Sequence, residues 1–145
     1  MQGTGEEILS FPADIGCFGC SSQNASGLQL VFRRKGDELL SDYVIADRFH
    51  GAPGTAHGGI VASIFDEISC AAVFFLRGPH VVTGEFTVRY LRPCPIETPL
   101  HFHARIVEET HPRYAVVESE VRLDDVVLAR STGRFFYVQR SESAP

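Results

Sequence analysis

The sequence contains no tryptophan, one methionine and one lysine (Lys35), and its net charge is −5. The arginines, which supply nearly all of the positive charge, are scattered along the chain and form no basic segment. Binding to nucleic acid or to an anionic membrane surface usually requires a clustered basic surface. We therefore expect neither a nucleic-acid partner nor a membrane partner.

Long uncharged apolar runs are also missing. The most apolar stretch, 58–76, carries Asp66 and Glu67 at its centre and would make a poor membrane span. The N-terminus, MQGTGEEILSF, has acidic residues where a secretory signal has basic ones. The four cysteines are then interpreted as reduced thiols, and we expect a cytoplasmic protein.

The composition predicts one folded domain. Hydrophobic residues make up 44% of the 145 residues, which is enough for a core of single-domain size. We divide the chain into an N-terminal loop segment over 1–27, a domain over 28–140 and a tail over 141–145. Within the first segment we expect at most one helical turn, near Glu6.

The spacing of apolar residues predicts one helix between two groups of strands. From Gly58 to Leu76 apolar residues occupy nearly every side of a helix, and Gly78-Pro79 follows as a stop signal. Alternating apolar and polar residues predict strands over 28–33, 38–46, 81–92, 100–106, 114–123 and 126–138. The expected fold is α+β, with a helix buried on all sides and wrapped by a curved antiparallel sheet of about six strands.

The start of the predicted helix and its acidic pair are the chemically informative features. Gly58 and Gly59 leave main-chain N–H groups at the positive end of the helix, where they could bind an oxyanion or merely permit tight packing. Asp66 lies in an apolar helix, where an unpaired carboxylate costs several kcal/mol. Either the carboxylate acts as a base or nucleophile, or one of the acidic pair reaches solvent or a salt bridge.

Two motifs in fixed order carry a family resemblance. HGGIVASIFDE at 57–67 and VTGEFTVRYLRP at 82–93 resemble the hotdog-fold acyl-CoA thioesterases. The resemblance is nearest to the phenylacetate-pathway type within the 4-hydroxybenzoyl-CoA thioesterase superfamily, and it covers roughly 49–138. The segment 17–32 is similar to the leader of many bacterial members. The resemblance implies a hotdog fold and hydrolysis of acyl-CoA to free acid and CoA, without a metal or organic cofactor.

The resemblance also implies roles for four residues. Asp66 would be the general base or the nucleophile, and the Gly59 N–H would polarise the thioester carbonyl. His57 would orient the site, and Thr83 would position the attacking water. Some relatives have an asparagine six residues before the histidine, where this chain has Gly51. We further predict substrate contacts at Gly58, Glu67, Gly84 and Arg92, with Arg92 a candidate for the CoA phosphates.

The helix geometry predicts that the site is shared between subunits. Gly59 and Asp66 are seven residues apart, which places them about 10 Å apart along one helix. An oxyanion donor and an attacking group must both lie within about 3 Å of the same reacting carbon. We therefore expect Gly59 of one subunit to work with Asp66 and Thr83 of another. This requires a homodimer, and we expect a homotetramer of such dimers.

Other interpretations remain open at this stage. The same fold could serve as a non-catalytic acyl-CoA-binding protein or sensor, or as a hydratase or dehydratase. Cys17 and Cys20 have the spacing of zinc ligands or of a redox pair, but no second pair accompanies them. His101 and His103 share a strand face without a third ligand and are interpreted as surface residues. Cys70 is interpreted as a small core residue. We predict no metal site.

Overall fold

One helix crosses one face of a single antiparallel sheet. The computed structural model describes residues 6–11 and 16–138. Within them the sheet order is β1-β2-β3-β5-β6-β7-β4. A short 3-10 helix spans Asp47–Phe49, and the helix α1 spans Gly58–Arg77. The strands are β1 Glu6–Leu9, β2 Phe32–Lys35, β3 Glu38–Val44, β4 Val81–Tyr90, β5 Pro99–Glu108, β6 Tyr114–Leu123 and β7 Val126–Tyr137.

The core lies between α1 and the sheet. The helix contacts β3, β4, β5 and β6, and its Ile64, Phe65 and Ile68 side chains are fully buried. The Phe65 ring meets Phe102 of β5 edge to face, with ring centroids 5.6 Å apart. Burial of such large apolar side chains is the main stabilising contribution to a fold of this kind. The predicted α+β architecture, with one helix held by a wide antiparallel sheet, is confirmed.

The ends of α1 follow the sequence signals. The side chain of His57 caps the first turn, and Gly78 ends the helix with a φ of 112°, which favours glycine. The helix is long and apolar enough to cross a membrane by those two criteria, with a mean hydropathy of 1.8. Half of its most apolar stretch is buried within the protein, as in the core helix of a globular domain.

The helix is buried against the sheet, but within one protomer it is not covered on every side. The sheet covers one side of α1, and several side chains on the rest of its surface are only partly buried. These are Ser63, Asp66, Glu67, Cys70 and Phe74. A helix that is apolar on all sides is expected to have its whole surface covered. The sequence does not show whether one chain or two will cover it.

The N-terminal predictions need two corrections. Residues 6–9 form a strand, β1, and not a loop or a helical turn, because they pair with β2. The sheet therefore has seven strands among the described residues, where about six were expected. Leu28, Leu30 and Phe32 are buried as the alternation predicted. The strand nevertheless begins only at Phe32, because Gln29 has a φ of 57° that interrupts an extended chain.

The remaining strands agree with the predicted ones to within a few residues, and β6 has the predicted bounds. Hairpin turns lie at Gly36 and at Asp124-Asp125, where all three residues have positive φ values. β4 is the last strand in the sheet order, and Val82 and Tyr90 on it are about half exposed. An apolar strand at an open edge is suited to pairing with another chain.

Candidate active site

The loop before α1 is held by main-chain hydrogen bonds. The Gly51 N–H donates to the Thr55 carbonyl at 2.8 Å, and the His57 N–H donates to the Phe49 carbonyl at 2.9 Å. A Cβ atom at Gly51 would lie 3.1 Å from the His57 Cα. A larger residue at position 51 would therefore require the loop to shift by a few tenths of an ångström.

His57 and Gly59 are in direct contact. The Gly59 N–H donates a hydrogen bond to Nδ1 of His57 at 2.9 Å, so the imidazole satisfies one of the main-chain donors of the first turn. The Gly58 N–H has no partner among the described residues, and the Gly58 carbonyl accepts a 2.6 Å hydrogen bond from the Tyr90 hydroxyl. The predicted oxyanion donor, the Gly59 N–H, thus lies beside His57, which accepts its hydrogen bond in the protomer.

Asp66 and Thr83 also come together. The Thr83 hydroxyl on β4 donates a hydrogen bond to Oδ1 of Asp66 on α1. The register of β4 against β7 shifts between Thr83 and Glu85, so Gly84 occupies a β-bulge. Bulges redirect side chains at functional sites, and this one follows the residue that faces Asp66. Two residues that are distant in sequence therefore form a polar pair on the less covered side of α1.

Cys70 lies beside the Asp66–Thr83 pair. The sequence did not lead us to expect it there. Its Sγ lies 3.5 Å from the Thr83 Oγ1, and the side chain packs against the core, as the sequence interpretation has it, but stays partly exposed. Cys70 follows Asp66 by four residues, a spacing that places both on one side of a helix and that could have identified it. Burial raises the pKa of the Cys70 thiol to about 12, so it is protonated at neutral pH and unsuited to nucleophilic attack.

Glu67 has different surroundings from Asp66. The Cys17 thiol donates to the Glu67 carboxylate at 3.5 Å, and Glu67 forms no ion pair with a described basic residue. Glu67 also lines a cavity of about 570 Å³ between α1 and the N-terminal segment. Side chains that line this cavity include Cys17, Cys20, Cys70, Phe74 and His80.

The four predicted substrate contacts are divided among three places. Gly58 and Arg92 line a second cavity of about 370 Å³ together with Tyr90. Glu67 lines the larger cavity. Gly84 lines neither of these two cavities, and a Cβ atom there would lie 3.1 Å from the Phe136 ring. Within the described part of the chain, a single protomer therefore gathers Gly58 and Arg92 but leaves the other two apart.

The histidines on β5 are engaged with carboxylates. His101 contacts Asp42 at 2.7 Å and is exposed, as predicted for a surface residue. His103 is less exposed and lies between Glu38 at 3.1 Å and Glu120 at 3.0 Å. The pKa of the Glu120 carboxyl is lowered, because hydrogen bonds from Arg122 and His103 outweigh the opposing effect of burial.

Comparisons with known proteins identify the family of this chain. The family model of the thioesterase superfamily matches residues 53–130, which include His57, Asp66 and Thr83. The human acyl-coenzyme A thioesterase THEM5 is 28% identical over 96 residues, which are 66% of this chain and 38% of THEM5. An uncharacterised mitochondrial protein of Candida albicans (strain WO-1) is 33% identical over 85 residues, 58% of this chain and 38% of that protein. The chain thus spans about two fifths of these curated relatives.

Solved structures share the fold. A phenylacetic acid degradation-related protein of Ralstonia eutropha JMP134 superposes with a TM-score of 0.69 at 24% identity, covering 81% of this chain and 92% of that one. A Streptococcus mutans UA159 protein bound to acetyl-CoA gives 0.65 at 22% identity, covering 73% and 85%. Because the family match extends over more than half of the chain and includes the motif at the start of α1, this protein belongs to the thioesterase superfamily.

Proposed function

We propose that this protein hydrolyses acyl-CoA thioesters to a free acid and CoA. The observation that carries the proposal is the Asp66 carboxylate on the core helix, held by the Thr83 hydroxyl of β4. A partly covered carboxylate with an oriented hydroxyl beside it is the pair that activation of a water molecule requires. Membership of the thioesterase superfamily and the similarity to a human acyl-CoA thioesterase support the same reaction.

In the proposed reaction Asp66 acts as the general base or as the nucleophile. As a base, it takes a proton from water, and the oxygen of that water adds to the thioester carbonyl carbon. The tetrahedral intermediate then breaks its C–S bond, and the CoA sulfur leaves and receives the proton. Because Thr83 donates its hydrogen to Asp66, its oxygen lone pairs can accept from the water and hold it beside the carboxylate.

The start of α1 is the proposed oxyanion site. The negative charge that develops on the carbonyl oxygen would be stabilised by the Gly59 N–H at the positive end of the helix. This requires the thioester oxygen to replace or share the hydrogen bond that His57 now accepts. The Gly58 N–H is available in the same turn as a second donor. In this proposal His57 orients the first turn when no substrate is bound.

We further propose that the working site lies between two subunits. Gly59 and Asp66 are on one continuous helix, so a single subunit holds them about 10 Å apart, too far to act on one carbonyl carbon. The open β4 edge with its exposed apolar side chains supports pairing of two copies. Gly59 of one subunit would then meet Asp66 and Thr83 of the other, and two such dimers would form a tetramer.

The finer assignments are also proposals. The motif resemblance favours the phenylacetate-pathway type, and the Ralstonia neighbour is described as related to phenylacetic acid degradation. We therefore propose an aromatic or medium-chain acyl group. From the sequence analysis we also propose a cytoplasmic location and hydrolysis without a metal or organic cofactor. The cavity of about 570 Å³ beside α1 has an apolar wall that includes Phe11, Phe32 and Phe74, which suits such an acyl group.

The decisive experiment compares Asp66→Asn with the wild-type protein. Release of free thiol is followed for phenylacetyl-CoA and for short-chain and long-chain acyl-CoAs, and acyl-CoA binding is measured by calorimetry. We expect hydrolysis to fall by at least about 100-fold while binding is kept, because removal of a general base has an effect of this size. Asp125→Asn, in the exposed β6–β7 turn, is the matched control and should keep full activity.

The alternative is a non-catalytic acyl-CoA-binding protein. It is favoured by one observation, the Gly59 N–H that is already satisfied by His57. If the wild-type protein binds acyl-CoA but releases no thiol from any member of the panel, the binding function replaces hydrolysis. If Asp66→Asn hydrolyses as fast as wild type, the proposed mechanism is wrong.

A further inference from the structure

We propose that Cys17, Cys20 and Glu67 form a Zn²⁺ site that joins the N-terminal loop to the core helix. The sequence alone supplied two ligands of suitable spacing, and the fold brings a third to them from α1. The three candidate ligand atoms all lie within 4.8 Å of one another. The site uses neither Asp66 nor Thr83, although its ligands line the same cavity that the proposed function assigns to the acyl group.

The distance between Cys17 and Glu67 fits tetrahedral zinc. Zinc binds thiolate sulfur at about 2.3 Å and carboxylate oxygen at about 2.0 Å, so a tetrahedral angle places S and O about 3.5 Å apart. The Cys17 Sγ lies 3.5 Å from the Glu67 Oε1. Two cysteines separated by two residues form a common half of a zinc site. The cavity of about 570 Å³ that these three residues line leaves room for a fourth ligand such as water.

The loop is shaped around the cluster. The Gly19 N–H donates to the Cys17 Sγ at 3.3 Å, an arrangement that stabilises a thiolate and orients it toward a metal. The Leu30 N–H donates to the Gly19 carbonyl at 2.9 Å and fixes the turn. A Cβ atom at Gly19 would lie 2.3 Å from the Glu67 Oε1, so the absence of a side chain there lets Glu67 reach both cysteines.

The charge of the cluster calls for a cation. Among the described residues no basic side chain forms an ion pair with Glu67. A divalent cation would supply the missing positive charge and favour the thiolate forms. Thiolate ligands select Zn²⁺ over Mg²⁺ and Ca²⁺, which prefer oxygen ligands.

The experiment measures metal binding directly on the reduced full-length protein. Protein expressed with added zinc and purified with a phosphine reductant should contain about one Zn²⁺ per chain, by mass spectrometry of the metal. Co²⁺ added to metal-free protein should give the near-ultraviolet sulfur-to-cobalt band and the visible bands of tetrahedral cobalt. The Co²⁺ titration uses only the wild-type chain, so it does not depend on whether a variant folds.

Variants assign the ligands. Cys17→Ser, Cys20→Ser and Glu67→Gln should each lose most of the bound zinc, whereas Cys94→Ala, at a buried cysteine outside the cluster, should keep it. Gly19→Ala leaves the three ligands in the chain but displaces Glu67, and it should weaken zinc affinity by about 10-fold or more.

The proposal is overturned if the reduced wild-type protein binds neither Zn²⁺ nor Co²⁺ at micromolar concentration. It is equally overturned if the Cys17→Ser, Cys20→Ser double variant retains zinc. Thioester hydrolysis by Asp66→Asn has no bearing on these measurements, so the two proposals fail independently.

Discussion

The main-chain N–H of Gly59 is bonded to Nδ1 of His57, two residues before it, at 2.9 Å. The capping residue just before α1 therefore accepts from the N–H donor that the proposed reaction would use. A helix N-terminus lacks internal acceptors for its first N–H groups, so either a side chain or a ligand must supply them. In this protein the imidazole does so in the protomer, and a thioester oxygen would have to compete with it.

Replacement of His57 by alanine removes this cap. We expect the free energy of unfolding to fall by about 1 kcal/mol, the usual effect of losing a side-chain acceptor at a helix start. His57→Asn should recover most of that stability, because asparagine is a good capping residue. Chemical denaturation measures both. If alanine leaves the stability unchanged, the His57–Gly59 hydrogen bond does not stabilise the helix.

The same two variants test the proposed role of His57 in orienting the site. We expect kcat/KM for acyl-CoA hydrolysis to fall by about 10-fold or more in both, because neither alanine nor asparagine restores the imidazole. Asparagine that restores stability without activity would separate capping from catalysis. Faster hydrolysis by His57→Ala would instead show that the imidazole only competes with substrate for the Gly59 N–H.

Thr83→Val keeps the shape of the side chain but removes the hydrogen bond to Asp66. Hydrogen bonds to charged groups contribute about 1.5–3 kcal/mol, so we expect hydrolysis to fall by about 10-fold to 100-fold. The loss should appear in kcat more than in KM, because the hydroxyl acts on the attacking water. Thr83→Ser is the matched control and should retain most activity. Equal rates for the valine and serine variants would remove Thr83 from the mechanism.

A mixed dimer tests whether two subunits share the site. Gly59→Pro removes the main-chain donor at a first-turn position where proline is tolerated, and Asp66→Asn removes the carboxylate. Each variant alone should be nearly inactive. Coexpressed in equal amounts, they should recover roughly a quarter of the wild-type rate, because half of the dimers are mixed and each of those has one intact site.

The mixed-dimer experiment has one contradicting outcome and one substitute variant. Absence of recovery in purified mixed dimers would show that the site lies within one subunit. If Gly59→Pro does not fold, as judged by circular dichroism, His57→Ala takes its place in the same design.

Arg77, the last residue of α1, should contribute stability that depends on pH. Its guanidinium bonds Asp37 and Glu109 at 2.7–3.0 Å, and these bonds lower the pKa of both carboxyls. The ordinary pKa values are 3.8 for Asp37 and 4.5 for Glu109. Because the folded-state values are lower, the contribution is present at neutral pH and is lost as the pH falls below these ordinary values and through the folded-state pKa of each carboxyl.

The measurement compares Arg77→Met with wild type by chemical denaturation at neutral and acidic pH. At neutral pH we expect a loss of about 1 kcal/mol or less, because both carboxylates are largely exposed to solvent. High salt should reduce the difference, and it should vanish at low pH. Lys35→Met, which removes an exposed positive charge, is the control. A difference that persists at low pH would mean that Arg77 stabilises the protein through its aliphatic stem.

Much of the fold could be predicted because its signals are local. The limits of α1 follow from the glycines and capping residue before it and from Gly78 after it. β6 and β7 follow from strict alternation interrupted by Asp124-Asp125. β1 could not be predicted, because four residues, EEIL, carry no periodic signal and become a strand only by pairing with β2.

The candidate site was predictable in its components and not in its contacts. The motifs identified His57, Gly59, Asp66 and Thr83, but the pairing of Thr83 with Asp66 depends on how β4 lies against α1. The approach of Glu67 to Cys17 joins positions that are 50 residues apart. No periodicity in the sequence predicts either contact, because side chains of different elements meet only when the fold places them together.

The lack of clustered basic charge and of long uncharged apolar runs led us to expect neither a nucleic-acid nor a membrane partner. Local propensity, capping and hydrophobic periodicity also determined the type and order of most elements, since each acts over a few neighbouring residues. Only the tertiary structure decided that His57 occupies the Gly59 N–H, that one side of α1 stays partly uncovered, and that two cysteines meet Glu67. Those features depend on packing between distant segments, which is settled by the free energy of the whole fold.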